Sequence, residues 1–585
     1  MLKKFFKWIL RIVIVTVILI AIVATSKYIS HRVPNDSVLV VTLSGSVVER
    51  GGNGVLGLVG SDQTPLNFVR RAIDRGARDR RIIGLTVKVI DPQMDLAQAQ
   101  EIAALIKSFR KSGKWTAAYI ESAGDFGPGN LPYLVAAAAD EVSLMPQGSL
   151  GITGVGIREL FARGTLDWIG IHPNFGAIGK YKSAGNIFTQ KDFTPAQHEE
   201  DDALAGDMYN QIVAQIAAER HLDPAAVKGF VDQAPLGADA SLKDKLVDRV
   251  EYEDQFTDRA KHRGGDSKHK LVDYSDYSSS GSILASFAPG GDKIAIVYGS
   301  GAIERGQGGF DPLLSPEGNA MGADDIVAAL KSARKDDSVR GVVFRINSPG
   351  GDVIASELIR RQVELTAAKK PVVISMSGYA ASGGYWISTP AAAIIADPGT
   401  ITGSIGVLGG KFNVTPATQK AYLNTGAVTY GANADMFDAF TDFTPAQAAV
   451  FQNQLLGDTY QYFVKIVAAG RHLSVEDVDA NAQGRVWMGD QALPIKLVDS
   501  LGTFDDAMHK VKELARLDPN KEIAIEELPE QPSVIQALLS GHVNAAYAFG
   551  ANPARALEPI TKIIRAAMEG HAGFGAAYCP VVPML

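Results

Sequence analysis

Cysteine is nearly absent from this chain. The only one in 585 residues is Cys579, in a Tyr-Cys-Pro context near the C-terminus. An intrachain disulfide is therefore excluded, as is a cysteine-based structural metal site, and a tail thiol is a poor nucleophile candidate. A basic excess is also missing. Lysine and arginine number 57 against 64 aspartates and glutamates, for a net charge of −7. With no zinc-spaced cluster and no aromatic-basic motif, nucleic acid is not an expected partner. Histidine is sparse, at 10 residues. What is present, 46% hydrophobic and 21% charged residues, suffices for two or more domains with full cores and excludes a disordered protein.

One long hydrophobic run stands at the N-terminus. Ile12–Thr25 carries no charge, and Trp8–Ser26 is interrupted only by Arg11, whose stem can snorkel toward headgroups. A cleaved signal peptide is the competing reading, but Ala24-Thr25-Ser26 is its best cleavage site and the apolar core is long, which favours an uncleaved anchor. Lys3, Lys4, Lys7 and Arg11 precede the run while Lys27 and Arg32 follow it. The positive-inside rule then puts the N-terminus in the cytoplasm and the bulk outside, which in a bacterium is the periplasmic face.

The chain repeats itself. RHLDPAAV at Arg220 returns as RHLSVEDV at Arg471, KLVD at Lys245 returns at Lys496, and DFTPAQ at Asp192 returns at Asp442. VVERG ending at Gly51 matches AIERG ending at Gly306, and GLTVKV at Gly84 matches GVVFRI at Gly341. A near-constant spacing of about 250 residues identifies a tandem duplication. Composition divides the chain into an anchor (1–36), a first copy (37–259), a polar linker (260–291), a second copy (292–517) and an acidic, proline-broken tail (518–585) of no recognisable role.

Each copy alternates strand-like and helix-like segments. In the second, KIAIVYGS, GVVFRINS and PVVISMSG have buried-strand patterns, and DDIVAALKSARKDD and VIASELIRRQVELTAAKK have helical spacing. This order predicts an α/β fold, a parallel sheet with flanking helices, with ligand sites at the carboxyl ends of strands. Asn347–Asp352 (NSPGGD) and Ser382-Gly383-Gly384 fall there. Acyl transfer needs backbone N–H donors aimed at an oxyanion, which Gly351 and Gly383 are free to supply. Ser382 opens the helical segment GGYWIS, whose N-terminal dipole favours developing negative charge.

The duplication supplies an internal control. Aligning Tyr133 with Tyr385 matches Pro146 to Pro398, Gly151 to Gly403 and Gly154 to Gly406, and sets Ser382 opposite Asn130. The first copy reads Asp91-Pro92-Gln93-Met94 where the second has Ser348-Pro349-Gly350-Gly351. The fold therefore requires neither the serine nor the glycine pair. A partner base is harder to find. AASGG is only half of a G-x-S-x-G motif. His472 recurs as His221 in the copy without the serine, and His509, His542 and His571 lie near or in the tail. Lysine is the alternative base. GKYKSAGNIFTQKDFTPAQ in the first copy faces YGANADMFDAFTDFTPAQ in the second, which has no lysine, so Lys180 or Lys182 is also not demanded by the fold.

NSPGGD, AASGGYWIS, TGSIG and GKYKSA together resemble the long, duplicated form of the signal peptide peptidase A (protease IV) family, over roughly residues 1–516. The resemblance implies tandem ClpP/crotonase-like domains and a serine-lysine dyad acting without cofactor or metal. It implies a homotetramer on the bacterial inner membrane that degrades residual signal peptides. By motif the nucleophile falls on Ser382 and the general base on Lys182, with Ser404 of TGSIG orienting the lysine. Two other readings stand beside it: a crotonase-type acyl-CoA enzyme, which shares the fold and the oxyanion donors, and a catalytically idle membrane scaffold. Whether lysine and serine pair within one chain or between chains is open at this point.

Overall fold

The computed structural model describes residues 33–51, 63–124, 127–263, 268–279, 291–308, 320–518 and 523–530, and the backbone of 576–578. The apolar run Trp8–Ser26 lies outside them; among the described residues no helix is long and apolar enough to cross a membrane.

Each copy builds a parallel sheet in the same strand order. In the first, Lys270–Asp273, Ser37–Val48, Ile82–Gln93, Trp115–Ile120, Glu141–Leu144 and Arg249–Val250 lie side by side. In the second, Ala524–Leu528, Lys293–Ser300, Val339–Ser348 and Val372–Ala381 repeat the first four, and Ala393–Ala396 and Ser500–Leu501 continue the order. The strands are apolar on both faces because helices cover them. Leu96–Lys111, begun by a capping box between Asp95 and Gln98, buries Ile102, Leu105, Ile106 and Phe109. Val353–Ala367, capped by Asp352, buries Ile359 and Val363. The duplication extends to single hydrogen bonds: Tyr133 Oη donates to Leu246 O at 2.6 Å, and Tyr385 Oη to Leu497 O at 2.7 Å.

Two segments read from composition as linker and tail belong to the sheets. KLVD at Lys270–Asp273 pairs with Ser37–Val40, and Ala524–Leu528 pairs with Lys293–Val297. Both are edge strands with a solvated side, so their sequences carry the charge that edges tolerate and read as loop. His221 and His472 cap the helices Pro195–Arg220 and Gly457–Arg471 in left-handed conformation, φ 54° in each case, a structural role common to both copies.

The copies meet through a buried ion cluster. Arg345, on a central strand of the second copy, donates to Glu49 of the first at 2.7 Å and to Glu101 of the first at 2.5 Å. Its remaining donors reach Ser375 Oγ and Ser377 Oγ on the strand leading to Ser382. Arg70 completes the group through Glu101, with its guanidinium 3.8 Å from the Phe504 ring centroid. Burial works against the charge on Glu49, yet Arg345 holds its carboxyl below the usual range. Nearby Asp95 finds no such partner, and burial pushes it up to about 7. Removing one member of a buried charge network strands its partners. Arg345→Met should therefore lower the stability of the folded chain by about 3–5 kcal/mol, read as a fall in urea midpoint; an unchanged midpoint would show that the cluster does not bind the copies together.

Candidate active site

Ser382 sits where the strand Val372–Ala381 turns into the short helix Gly383–Ser388. Its backbone adopts φ 55° and ψ −113°, a conformation that costs a non-glycine residue about 1–3 kcal/mol. Two bonds hold it there: Ser382 N–H to Gly403 O at 2.8 Å, and Trp386 N–H to Ser382 O at 2.8 Å.

The partner comes from the first copy. Its strand His172–Ile178 leaves the first sheet's neighbourhood and pairs antiparallel with Val407–Asn413 of the second copy, Ile178 opposite Val407. The turn that follows carries Lys182. Its backbone is gripped by the second copy, since Tyr181 N–H donates to Gln483 O at 2.8 Å. Gly484 packs so closely that a Cβ there would stand 2.6 Å from Lys182 N. Lys182 Nζ donates to Ser382 Oγ at 2.7 Å, to Ser404 Oγ at 2.9 Å and to Ser404 O at 3.1 Å. Lys182, Ser382 and Ser404 are all buried. Ser404 is itself in a left-handed conformation, φ 50°, with its N–H on Arg485 O.

Gly351 lies in the strand Gly350–Asp352 against Ile303, where a Cβ would stand 2.1 Å from Ile303 O. Its nitrogen lies 3.1 Å from the point a Cβ on Gly383 would occupy, so the two proposed donor residues are close neighbours. Between Gly350–Asp352 and Val407–Asn413 runs a lane one strand wide, occupied by the chain's own Ala576–Tyr578 in antiparallel pairing with Gly350–Asp352 and Leu408.

The model for peptidase family S49 matches residues 109–265 and 364–518, together more than half of the chain, and the Clp protease model matches residues 313–394. The chain belongs to peptidase family S49. It is 30% identical to "Protease 4" of Salmonella typhi over 95% of this chain and 92% of that protein. It is 29% identical to "Serine protease SPPA, chloroplastic" of Arabidopsis thaliana over 95% of this chain and 81% of that protein. Against "Putative signal peptide peptidase SppA" of Enterococcus faecium the identity is 31%, over 33% of this chain and 56% of that protein. The chain is thus a serine peptidase built from duplicated S49 domains of ClpP-like fold, and membership replaces the acyl-CoA and scaffold readings.

Within this S49 chain the two lysines of GKYKSA part company. Lys180 is on the surface, 3.2 Å from Glu199 Oε2 and 3.0 Å from Tyr181 Oη, and these bonds raise its pKa. Lys182 points inward. One residue of the site escaped sequence reasoning. Glu200, on the helix Pro195–Arg220, is buried and accepts the N–H of Val486 at 2.5 Å, next to the Arg485 carbonyl that holds Ser404. A signal existed: in the register set by DFTPAQ, Glu200 and Asp201 face Val450 and Phe451 of the second copy, so two carboxylates occupy what the fold treats as apolar positions. Burial pushes Glu200 up to about 8. A folded-state pKa raised above the unfolded value stabilises below the unfolded pKa, and that contribution is lost as pH rises through the folded one. Glutamine copies the protonated carboxyl, including the acceptor for Val486. Glu200→Gln should match the parent near pH 5 and exceed it near pH 8 by on the order of 2–4 kcal/mol, read from urea unfolding at both values; parallel pH curves would contradict the assignment.

Proposed function

We propose that Ser382 and Lys182 form the catalytic dyad of this peptidase and that both come from one chain. The observation that carries the reading is the 2.7 Å hydrogen bond between Lys182 Nζ and Ser382 Oγ, across 200 residues of sequence and across the boundary between copies. To act as base the amine must be neutral. Neutral Lys182 takes the Ser382 proton as Oγ attacks the peptide carbonyl, and the N–H groups of Gly351 and Gly383 receive the oxyanion. The lysine returns the proton to the leaving amine, then activates the water that releases the acyl group. Ser404 acts as a positioning residue, its hydroxyl and carbonyl oxygens fixing the direction of Nζ.

The substrate reading follows from the lane beside Gly351. An extended peptide there pairs main chain to main chain with Gly350–Asp352, as Ala576–Tyr578 do, which suits apolar segments without a fixed sequence. Residual signal peptides are such segments, in keeping with the name of the Enterococcus faecium relative. We further propose that Trp8–Ser26 anchors the chain in the bacterial inner membrane, with the N-terminus cytoplasmic, the catalytic copies periplasmic, and the working form a homotetramer.

Ser382→Ala and Lys182→Ala should each reduce kcat/KM on a small peptide by a factor of about 10³ or more with the fold retained by circular dichroism, while Lys180→Ala stays within about threefold of the parent. A fluorophosphonate should label the parent on Ser382. Co-expressed full-length Lys182→Ala and Ser382→Ala chains should recover no activity; recovery would mean that the dyad is shared between chains. Deleting residues 1–32 should release a soluble enzyme with unchanged small-peptide hydrolysis, and a folded but inactive truncation would overturn the anchor reading.

A further inference from the structure

The contact that delivers Lys182 is half of a pattern that the duplication writes twice. Within the chain, His172–Ile178 of the first copy lies antiparallel on Val407–Asn413 of the second. The sequence repeats both partners. Asn174-Phe-Gly-Ala-Ile178 returns as Asn424-Thr-Gly-Ala-Val428, in the register of DFTPAQ, so the counterpart of His172–Ile178 is residues 422–428. The match of Gly154 to Gly406 makes residues 155–161 the counterpart of Val407–Asn413.

Among the described residues neither counterpart makes the strand pairing that its equivalent makes. Residues 419–434 are exposed without interruption and form no strand. Tyr422 is 93% exposed, Leu423 61% and Val428 88%. Residues 155–161 also fall in no named strand, and Leu160 is 81% exposed. In the pair that is made, Val407 is fully buried, and Phe412 packs edge-on against Phe175 at 5.1 Å. A segment that keeps its apolar side chains in water where its repeat pairs as a strand is an edge suited to another chain. Within one chain the two segments do not pair with each other.

We propose that residues 422–428 of one chain add as an antiparallel strand to residues 155–161 of a second copy of the same chain. The proposal supplies the contact for the homo-oligomer of the preceding reading and rests on it for a partner. Carrying over the observed register sets Val155 opposite Val428, Leu160 opposite Leu423 and Phe161 opposite Tyr422. Three apolar pairs form, and no like charges face each other, since Arg158 meets Thr425 and Glu159 meets Asn424. The contact is head to tail, so it propagates until a ring closes. The joint between chains carries no second active site, because Ala432 stands where Lys182 would be and Asn130 where Ser382 would be. The assembly therefore has one site per chain, at every other joint.

The test uses the full-length chain with Cys579→Ser as background. Leu160→Cys combined with Leu423→Cys should give a ladder of covalent multimers under mild oxidation, since directly opposed residues lie within disulfide reach, and reduction should collapse it. Either single variant should give no ladder, and neither should Leu160→Cys with Ala427→Cys, four residues out of register. Separately, Leu423→Asp with Val428→Asp should lower the assembly mass by light scattering to that of one chain, with small-peptide kcat/KM within about twofold of the parent. A multimeric parent whose opposed pair does not cross-link overturns this contact and leaves the oligomer standing. A parent that is itself a single chain overturns both. An aspartate variant that keeps the parent's mass overturns the contact.

Discussion

Arg345 is the residue on which the geometry of the active site depends. A guanidinium buried between Glu49 and Glu101 gains its full interaction only when two strands and a helix from different copies stand in one arrangement, because its hydrogen bonds are directional and water cannot replace them. The same side chain reaches Ser375 and Ser377, seven and five residues along the chain from Ser382. Apolar packing between the copies, such as Ile401, Val486 and Met488 of the second against the core of the first, supplies most of the attraction. It does not by itself select a register. The ion cluster does, and a 2.7 Å bond between Lys182 and Ser382 tolerates little error in that register.

The local devices were legible in the sequence. Ser382 stood out because a strand pattern ended on it, small residues surrounded it, and the other copy held Asn130 in its place. The same comparison narrowed the base to Lys180 or Lys182, through the lysine-free stretch of the second copy, and the family motif selected Lys182. Strands such as Lys293–Ser300 and Val372–Ala381, and the helix Val353–Ala367, followed from period and length. What was not legible was partnership at a distance. Arg345 in GVVFRI and Glu49 in VVERG read as charges at strand ends, where solvent normally receives them, and nothing local says that they meet. Glu200 read as one acid of the run Glu199–Asp202 on a helix. The edge strands Lys270–Asp273 and Ala524–Leu528 were hidden because one-sided burial leaves a polar sequence.

The divergence of the copies has a physical logic. Two identical copies would each carry a nucleophile strained at positive φ and a buried lysine, and each such feature costs stability. Here the costs are divided. The second copy bears the strained Ser382 and the positive-φ pair Gly350-Gly351, and has the exposed Ala432 in place of a lysine. The first buries Lys182 and Glu200, and in place of Ser382 has Asn130, whose side chain simply bridges to Gly154 O at 2.8 Å. Each copy retains only what one side of a joint needs.

That division also explains why strain at Ser382 persists. A residue at φ 55° relaxes unless its surroundings over-determine it, and here the constraints come from both copies. Gly403 O holds its N–H from the second copy, while Lys182 holds its hydroxyl from the first. Gly403 belongs to Ile401–Gly403, paired with Val486–Met488, whose first N–H is held in turn by Glu200 of the first copy. The backbone that strains Ser382 and the amine that bonds its hydroxyl are therefore positioned by one set of inter-copy contacts. If the copies separate, the serine loses both its base and part of the frame that strains it, so an isolated second copy is expected to present an ordinary hydroxyl.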